Sequence, residues 1–177
     1  MSAIETAPPK ADGGPFTGYA EASERPPFKS YASFAALLNA GVGGALLAAH
    51  RSGRGLPERV DARDLALMGV ASHKISRLVS KDKVTAFARA PFTEFQEKGG
   101  PAEVEERPRG TGLRRAVGEL LVCPYCLGLW VSAGLHVGLL FAPRATRFLA
   151  SVFGALTISD FLQVAYKAAE DRGLGGS

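Results

Sequence analysis

The sequence predicts an all-α fold, a helical integral membrane protein with three to four transmembrane helices. Three observations support this prediction. Four strongly apolar segments alternate with polar stretches, the segments have helical length or spacing, and lysine and arginine concentrate on one side of the inferred membrane. The 177 residues suffice for one domain. With 46% apolar and 21% charged residues, the composition is ordinary for a globular protein, so the prediction rests on the pattern.

The first apolar segment covers residues 32–49, and Asn39 carries its only strongly polar side chain. As a helix, these eighteen residues would rise about 27 Å, close to the hydrocarbon thickness of roughly 30 Å. Ala40, Gly44 and Ala48 recur at four-residue spacing, which lets helices approach closely in lipid. The alternative is a glycine-rich buried helix of a soluble bundle.

The second segment, residues 65–81, has two different faces. One is apolar at helical spacing, while His73, Arg77 and Lys81 lie four apart on the other, with Lys74 adjoining. Basic groups near the centre of a bilayer are costly. The segment therefore either lies in the membrane interface or spans with its basic face turned into the bundle.

A third apolar stretch runs from residue 113 to 142 and is too long for one simple span. Pro124 divides it, because proline suits the first position of a helix and disrupts an interior. We expect one helix to about residue 122 and a span over residues 124–142. A fourth segment, residues 145–166, follows Pro143 and completes an antiparallel helical hairpin.

The polar stretches define the rest of the organisation. Residues 1–30 hold Pro- and Gly-rich clusters with few large aliphatic side chains, which predicts a disordered N-terminal tail. Residues 31–170 form the helical membrane domain, interrupted by a loop over residues 82–112, and residues 171–177 form a flexible C-terminal tail. If all segments span, the side with both termini and this loop carries thirteen Lys and Arg residues against six opposite. The positive-inside rule then places the termini and the loop in the cytoplasm. If the second segment lies flat in the interface instead, three spans remain and the N-terminus moves outside.

Aromatic and basic side chains alternate at the start of the cytoplasmic loop. Such rings can enter the headgroup layer while the cations meet anionic lipid. The same pattern can bind single-stranded nucleic acid, but the glutamates that follow disfavour it. The predicted membrane-surface residues are Lys81, Lys83, Phe87, Arg89, Phe92 and Phe95.

Cys123-Pro-Tyr-Cys126 holds both cysteines and has the same four letters as a glutaredoxin active site. Helix-patterned sequence on both sides excludes the glutaredoxin fold, because that motif follows a strand. Three interpretations remain: packing, thiol redox chemistry at a helix N-terminus, or metal binding. Zinc normally needs four ligands, so a closed site would recruit His73, Asp160 or a second protomer. No cofactor is firmly indicated.

The predicted helical hairpin brings Asp160 within a turn of Cys126. A carboxylate in the bilayer is costly unless it is paired, and Lys74 and Arg77 are the available cations. We therefore predict a polar cluster beside the two cysteines, formed by His73, Lys74, Arg77, Glu119 and Asp160.

Two long motifs resemble a known family. HKISRLVSKDKVTAFARAPFTEF (residues 73–95) and GELLVCPYCLGLW (residues 118–130) are similar to the bacterial domain-of-unknown-function family 1360. The resemblance implies a small membrane protein of the bacterial inner membrane. Some members are labelled sporulation proteins, and the resemblance implies no reaction.

The sequence favours a non-enzymatic function, a membrane interaction or scaffold component that is sporulation- or envelope-related. Its cytoplasmic loop would meet anionic lipid, a partner protein or a second copy of the chain. The alternatives are a membrane thiol protein using Cys123 and Cys126 for redox exchange or metal binding, and a soluble helical bundle. Hydrolase triads, phosphate-binding glycine loops and nucleotide fingerprints are not recognisable.

Overall fold

The computed structural model describes residues 18–20 and 25–174. It is predominantly helical, as predicted, with one small sheet. In chain order the elements are α1 (Phe28–Arg51), α2 (Ala62–Lys81), a 3₁₀ turn (Lys83–Thr85), α3 (Ala86–Arg89), β1 (Thr93–Lys98), β2 (Val104–Pro108), α4 (Gly112–Val122), α5 (Pro124–Phe141) and α6 (Pro143–Leu174).

Part of each predicted tail lies outside the residues that the structure describes. Residues 1–17 and 21–24 of the predicted N-terminal tail lie outside the described residues, and α1 begins at Phe28. Helix α6 continues to Leu174, past the predicted start of the C-terminal tail, and residues 175–177 also lie outside.

Three helices among the described residues, α1, α5 and α6, are long and apolar enough to cross a membrane. The structure buries only 6–11% of each apolar window. Apolar side chains therefore remain on the outside of the bundle, and α6 contributes the largest group, which includes Phe148, Leu149, Phe161, Leu162 and Val164.

Helix α2 runs along these helices rather than across them. Its Ser72 hydroxyl donates to the Gly128 carbonyl oxygen of α5 at 3.1 Å. Arg147 and Asp160 of α6 pair with Asp64 and Lys74 of α2 in the same order, so α2 and α6 are parallel. The core between the three helices is formed by Met68, Ala71, Leu135 and Ala150, packed against Leu67, Ile75, Val131, Leu139 and Phe153.

The break between α4 and α5 falls where the sequence predicts it. Cys123 is extended at φ −104° and ψ 103°, and Pro124 begins α5. The Cys123 Sγ accepts a hydrogen bond from the Cys126 backbone N–H at 3.2 Å, so the thiol acts as the N-cap of α5. One orphan donor of the helix start is thereby satisfied.

Residues 82–112, which we call the hairpin unit, are folded. They contain the 3₁₀ turn, α3 and the antiparallel pair β1–β2, whose register runs from Thr93↔Pro108 to Lys98↔Val104. The sequence predicts a loop over this stretch, and the two strands correct that prediction. Helix α4 packs closely on the unit because residue 118 is glycine: a Cβ there would lie 2.5 Å from the Phe92 carbonyl oxygen.

Candidate functional site

The basic end of α2 and the hairpin unit form a network of ion pairs. Arg77 Nε lies 2.8 Å from Glu103 Oε1, and Lys81 Nζ lies 2.7 Å from Glu105 Oε2. The two cations are four apart on a helix and the two glutamates are two apart on an extended chain, so each pair shares a face. The four-residue spacing on the helix matches the two-residue spacing on the extended chain. The two ion pairs therefore hold β2 and the residue before it along the end of α2.

Arg89 lies at the centre of the hairpin unit and is fully buried. Its Nε donates to Glu106 Oε2 at 2.5 Å, and its Nη1 donates to the Val79 carbonyl oxygen at 2.7 Å. Further bonds go to Thr85 Oγ1 and to the Asp82 carbonyl oxygen. A buried charge is costly unless it is paired and hydrogen-bonded, and here all three guanidinium nitrogens donate. Arg89 therefore joins the end of α2, the 3₁₀ turn and β2.

These contacts correct the predicted membrane-surface set. The prediction that Arg89 faces lipid is wrong, because its side chain is enclosed by the unit. Lys81 forms an ion pair with Glu105, and both Lys81 and Phe92 are half-buried. Lys83 is exposed, as are Phe87, with 80% of its surface accessible, and Phe95.

Apart from Lys83, the predicted membrane-surface residues that are exposed in the structure are apolar side chains of the hairpin unit. Val84, three residues before Phe87 along the same helical turn, is also exposed. Phe95 lies on β1, whose residues after Thr93 are all exposed. A polar, internally ion-paired unit thus presents Val84, Phe87 and Phe95 to its surroundings.

The residues of the predicted polar cluster are divided among separate contacts. Lys74 Nζ and Asp160 Oδ2 are 2.7 Å apart, so these two are brought together. Arg77 pairs with Glu103 instead, and His73 is exposed. Glu119 lies in another contact, described next.

The two cysteines lie beside a network that joins α1 to α4. The Tyr31 hydroxyl donates to the Glu119 carboxylate, which also accepts from Arg115 Nε at 2.8 Å. Both thiols are free; Cys123 is half-buried and Cys126 exposed, and their Sγ atoms are 2.6 Å apart. Among residues 18–20 and 25–174, no three His, Cys, Asp or Glu side chains are grouped to hold a metal ion.

Asp82 follows the last residue of α2 and lies near both positively and negatively charged side chains. Burial raises the pKa of its carboxyl above the ordinary value, while Lys74 and Arg77 oppose that shift and Glu103 and Asp160 add to it. Asp82 therefore lies in the electric field of two ion pairs, Lys74 with Asp160 and Arg77 with Glu103.

The family model described as "Protein of unknown function (DUF1360)" matches residues 67–166. The chain belongs to this family. The matched region extends from α2 into α6 and includes the hairpin unit and the cysteine pair, whereas α1 precedes it.

Two curated relatives come from Bacillus subtilis (strain 168). The chain is 30% identical over 93 residues to Sporulation protein YjcA, covering 51% of this chain and 79% of that protein. It is 26% identical over 107 residues to UPF0713 protein YngL, covering 57% and 78%. No solved structure matches.

The sequence-based predictions do not include Glu103, Glu105 and Glu106 as partners of the basic residues. The available signal was the spacing itself: cations four apart on a predicted helix, followed by glutamates two apart. The burial of Arg89 has no comparable local signal, because its partners come from four separate places in the chain.

Proposed function

We propose that this protein is a small bacterial membrane protein whose α1, α5 and α6 cross the plasma membrane, with α2 passing from one side to the other among them. The observation that carries the proposal is the apolar exterior of these helices, where Phe148 and Phe161 expose 73% and 69% of their surface. Soluble proteins rarely expose continuous apolar surface of this extent, whereas lipid hydrocarbon accommodates it. With α2 passing through as well, the excess of Lys and Arg on the side of the hairpin unit supports a cytoplasmic position for that unit.

Helix α2 accompanies the spans with its charges near the cytoplasmic end. Its first half is apolar and packs in the core through Met68 and Ala71. Apart from Arg63 in the first turn, its basic residues lie in the second half, toward the hairpin unit, where Lys74 is paired with Asp160 and Arg77 with Glu103. Pairing and proximity to the headgroups lower the cost of these charges.

The role that best fits this arrangement is non-enzymatic, as an interaction or scaffold component. The ion pairs fix the hairpin unit at the membrane surface, so the exposed Val84, Phe87 and Phe95 are presented in a defined position. Exposed aromatic side chains on a polar surface are typical anchors for a protein partner. The name of one relative, Sporulation protein YjcA, supports a context in sporulation or the cell envelope.

Alkaline extraction tests the membrane assignment. Membranes from cells expressing the full chain would be washed with carbonate at high pH and analysed for the protein. We expect it to stay in the pellet and to be released only by detergent. Release by carbonate alone would contradict the proposal and favour a soluble bundle.

Site-specific photocrosslinking tests the interaction surface. A photoreactive phenylalanine replaces Phe87 in one variant and Phe161 in a matched control on the exterior of α6. We expect a discrete protein adduct from position 87 and lipid adducts from position 161. Lipid adducts alone from both positions would contradict a protein partner and assign the hairpin unit to the membrane surface.

The second candidate is a membrane thiol protein. It is supported by the free cysteines at the start of α5, whose Sγ atoms are 2.6 Å apart with Cys126 exposed. Differential alkylation of native membranes, with and without reductant and chelator, distinguishes the interpretations. Labelling only after reductant would support redox exchange, labelling only after chelator would support metal binding, and unchanged labelling would contradict both.

A further inference from the structure

We propose that the groove between α2 and the first turn of α5 binds an anionic phosphate group. The groove has a volume of about 240 Å³. His73 and Arg77 line it from α2, and Tyr125 lines it from α5. This inference rests on the membrane placement proposed above only for the source of the phosphate, not for its chemistry.

The groove gathers hydrogen-bond donors that the fold does not use. Arg77 donates through Nε and Nη2 to Glu103, which leaves Nη1 without a partner among the described residues. His73 and the Tyr125 hydroxyl likewise have no hydrogen bond or ion pair among residues 18–20 and 25–174, and 90% of the Tyr125 surface is exposed. No Asp or Glu is among the described residues that line the groove. A lining with free donors and no carboxylate favours an anion, and the Glu103 carboxylate behind Arg77 has both oxygens engaged by that guanidinium.

Glu103 acts on this site as a positioning residue. Its two oxygens hold one edge of the Arg77 guanidinium at 2.8 and 2.9 Å, a bidentate arrangement that fixes the plane of the group. The remaining edge of that plane carries the two N–H groups of Nη1. A planar, oriented guanidinium suits a phosphate oxygen better than a mobile cation does.

The floor of the groove is formed by the contact between α2 and α5. The Ser76 hydroxyl donates to the Ser72 carbonyl oxygen at 2.6 Å, and the Ser72 hydroxyl donates to the Gly128 carbonyl oxygen. The first bond lies within α2 and the second joins α2 to α5, so the two helices are held together without a ligand and the groove is preformed. The positive end of the α5 dipole adds to the attraction for an anion there.

The position of the groove along α5 allows two sources of the phosphate. Helix α5 has 18 residues and rises about 27 Å, close to the hydrocarbon thickness of roughly 30 Å. Its first turn, with Tyr125, then lies at the cytoplasmic headgroup layer. The phosphate of an anionic lipid and a soluble phosphate from the cytoplasm can both reach this level.

Native mass spectrometry of the full chain in detergent tests the site. The probes are phosphatidylglycerol, phosphatidylcholine and inorganic phosphate. The informative variant is His73→Gln combined with Tyr125→Phe, because neither side chain has a partner whose loss would disturb the fold. The matched control is Lys83→Gln, an exposed cation outside the groove.

We expect the wild type to retain phosphatidylglycerol in preference to phosphatidylcholine. The double variant should retain it roughly tenfold less, the factor that corresponds to about 1.4 kcal/mol, while the control is unchanged. Binding of inorganic phosphate with the same loss in the double variant, but without a lipid preference, supports the groove and assigns a soluble source.

Equal retention of all three probes by the wild type and the double variant would overturn the proposal. The measurement uses solubilised protein, so its failure would leave the membrane placement standing. Release by alkaline extraction, conversely, would remove the lipid source without bearing on phosphate binding.

Discussion

The exterior of the helical bundle is apolar, whereas the hairpin unit is polar and held by ion pairs. The bundle exposes large apolar side chains along α6 and uses few polar contacts, whereas the hairpin unit takes part in four of the seven ion pairs among the described residues. Helix α2 belongs to both, with Met68 in the apolar core and Arg77 and Lys81 in the ion pairs. The point along α2 where packing in the apolar core gives way to ion pairs marks where we expect the membrane surface.

The largest expected effect comes from removing the buried charge of the hairpin unit. Arg89→Met leaves the Glu106 carboxylate, only 6% exposed, without its partner, so we expect about 3–5 kcal/mol of local destabilisation. Hydrogen exchange over residues 82–112 would measure it.

The matched control is Arg107→Ala, which breaks the exposed pair with Glu94 and should cost less than about 1 kcal/mol. Arg89→Met combined with Glu106→Leu should recover much of the loss, because no buried charge is left unpaired. Equal effects of the two single substitutions would show that the buried network does not hold the unit.

The next effect concerns the close approach of α4 to the hairpin unit. Gly118→Ala places a Cβ 2.5 Å from the Phe92 carbonyl oxygen, so the backbone must shift, at about 1–3 kcal/mol. Gly134→Ala is the control in α5, where a Cβ meets nothing within 4 Å. Thermal unfolding in detergent should separate the two variants, and similar midpoints would contradict the close packing.

The ion pair between α2 and α6 should contribute less, because it is partly open. Asp160→Asn leaves the Lys74 ammonium, 13% exposed, without a charged partner, but Asp160 is itself 48% exposed, so we expect about 1 kcal/mol of destabilisation. The amount of protein accumulated in membranes and its unfolding midpoint are the measurements. Ser159→Ala, on the neighbouring position, serves as the control, and an unchanged midpoint for Asp160→Asn would show that the pair is dispensable.

The smallest effect is a pH dependence at the join between α2 and the hairpin unit. Because burial raises the pKa of Asp82, the stability that its neutral form contributes is present at low pH. That contribution is lost as the pH rises through the raised pKa. Asp82→Asn should therefore be more stable relative to wild type at pH 7.5 than at pH 4.5. Unfolding of both proteins at the two pH values checks the sign, and the reverse order would contradict it.

The helices could be predicted because their signals are local. Long apolar segments and Pro124 predicted the five longer helices and the break between α4 and α5, but not the short α3. The antiparallel hairpin also indicated a pairing of Asp160 with a cation of α2, and the structure pairs it with Lys74.

The hairpin unit could not be predicted in the same way. Strands β1 and β2 are short and largely charged, so they lack the apolar alternation that identifies a strand. Arg89 reads locally as a surface cation, and only the long-range contact with Glu106 makes its burial favourable. Local patterns thus predict the apolar region well and the ion-paired region poorly.

Side-specific labelling tests the central claim most directly. On a background without Cys123 and Cys126, Glu58→Cys and Lys83→Cys place single thiols at exposed positions at opposite ends of the bundle. A membrane-impermeant maleimide added to intact spheroplasts should label position 58 at once and position 83 only after permeabilisation. Labelling of both positions in intact spheroplasts, or of position 83 alone, would contradict a membrane-spanning bundle with a cytoplasmic hairpin unit.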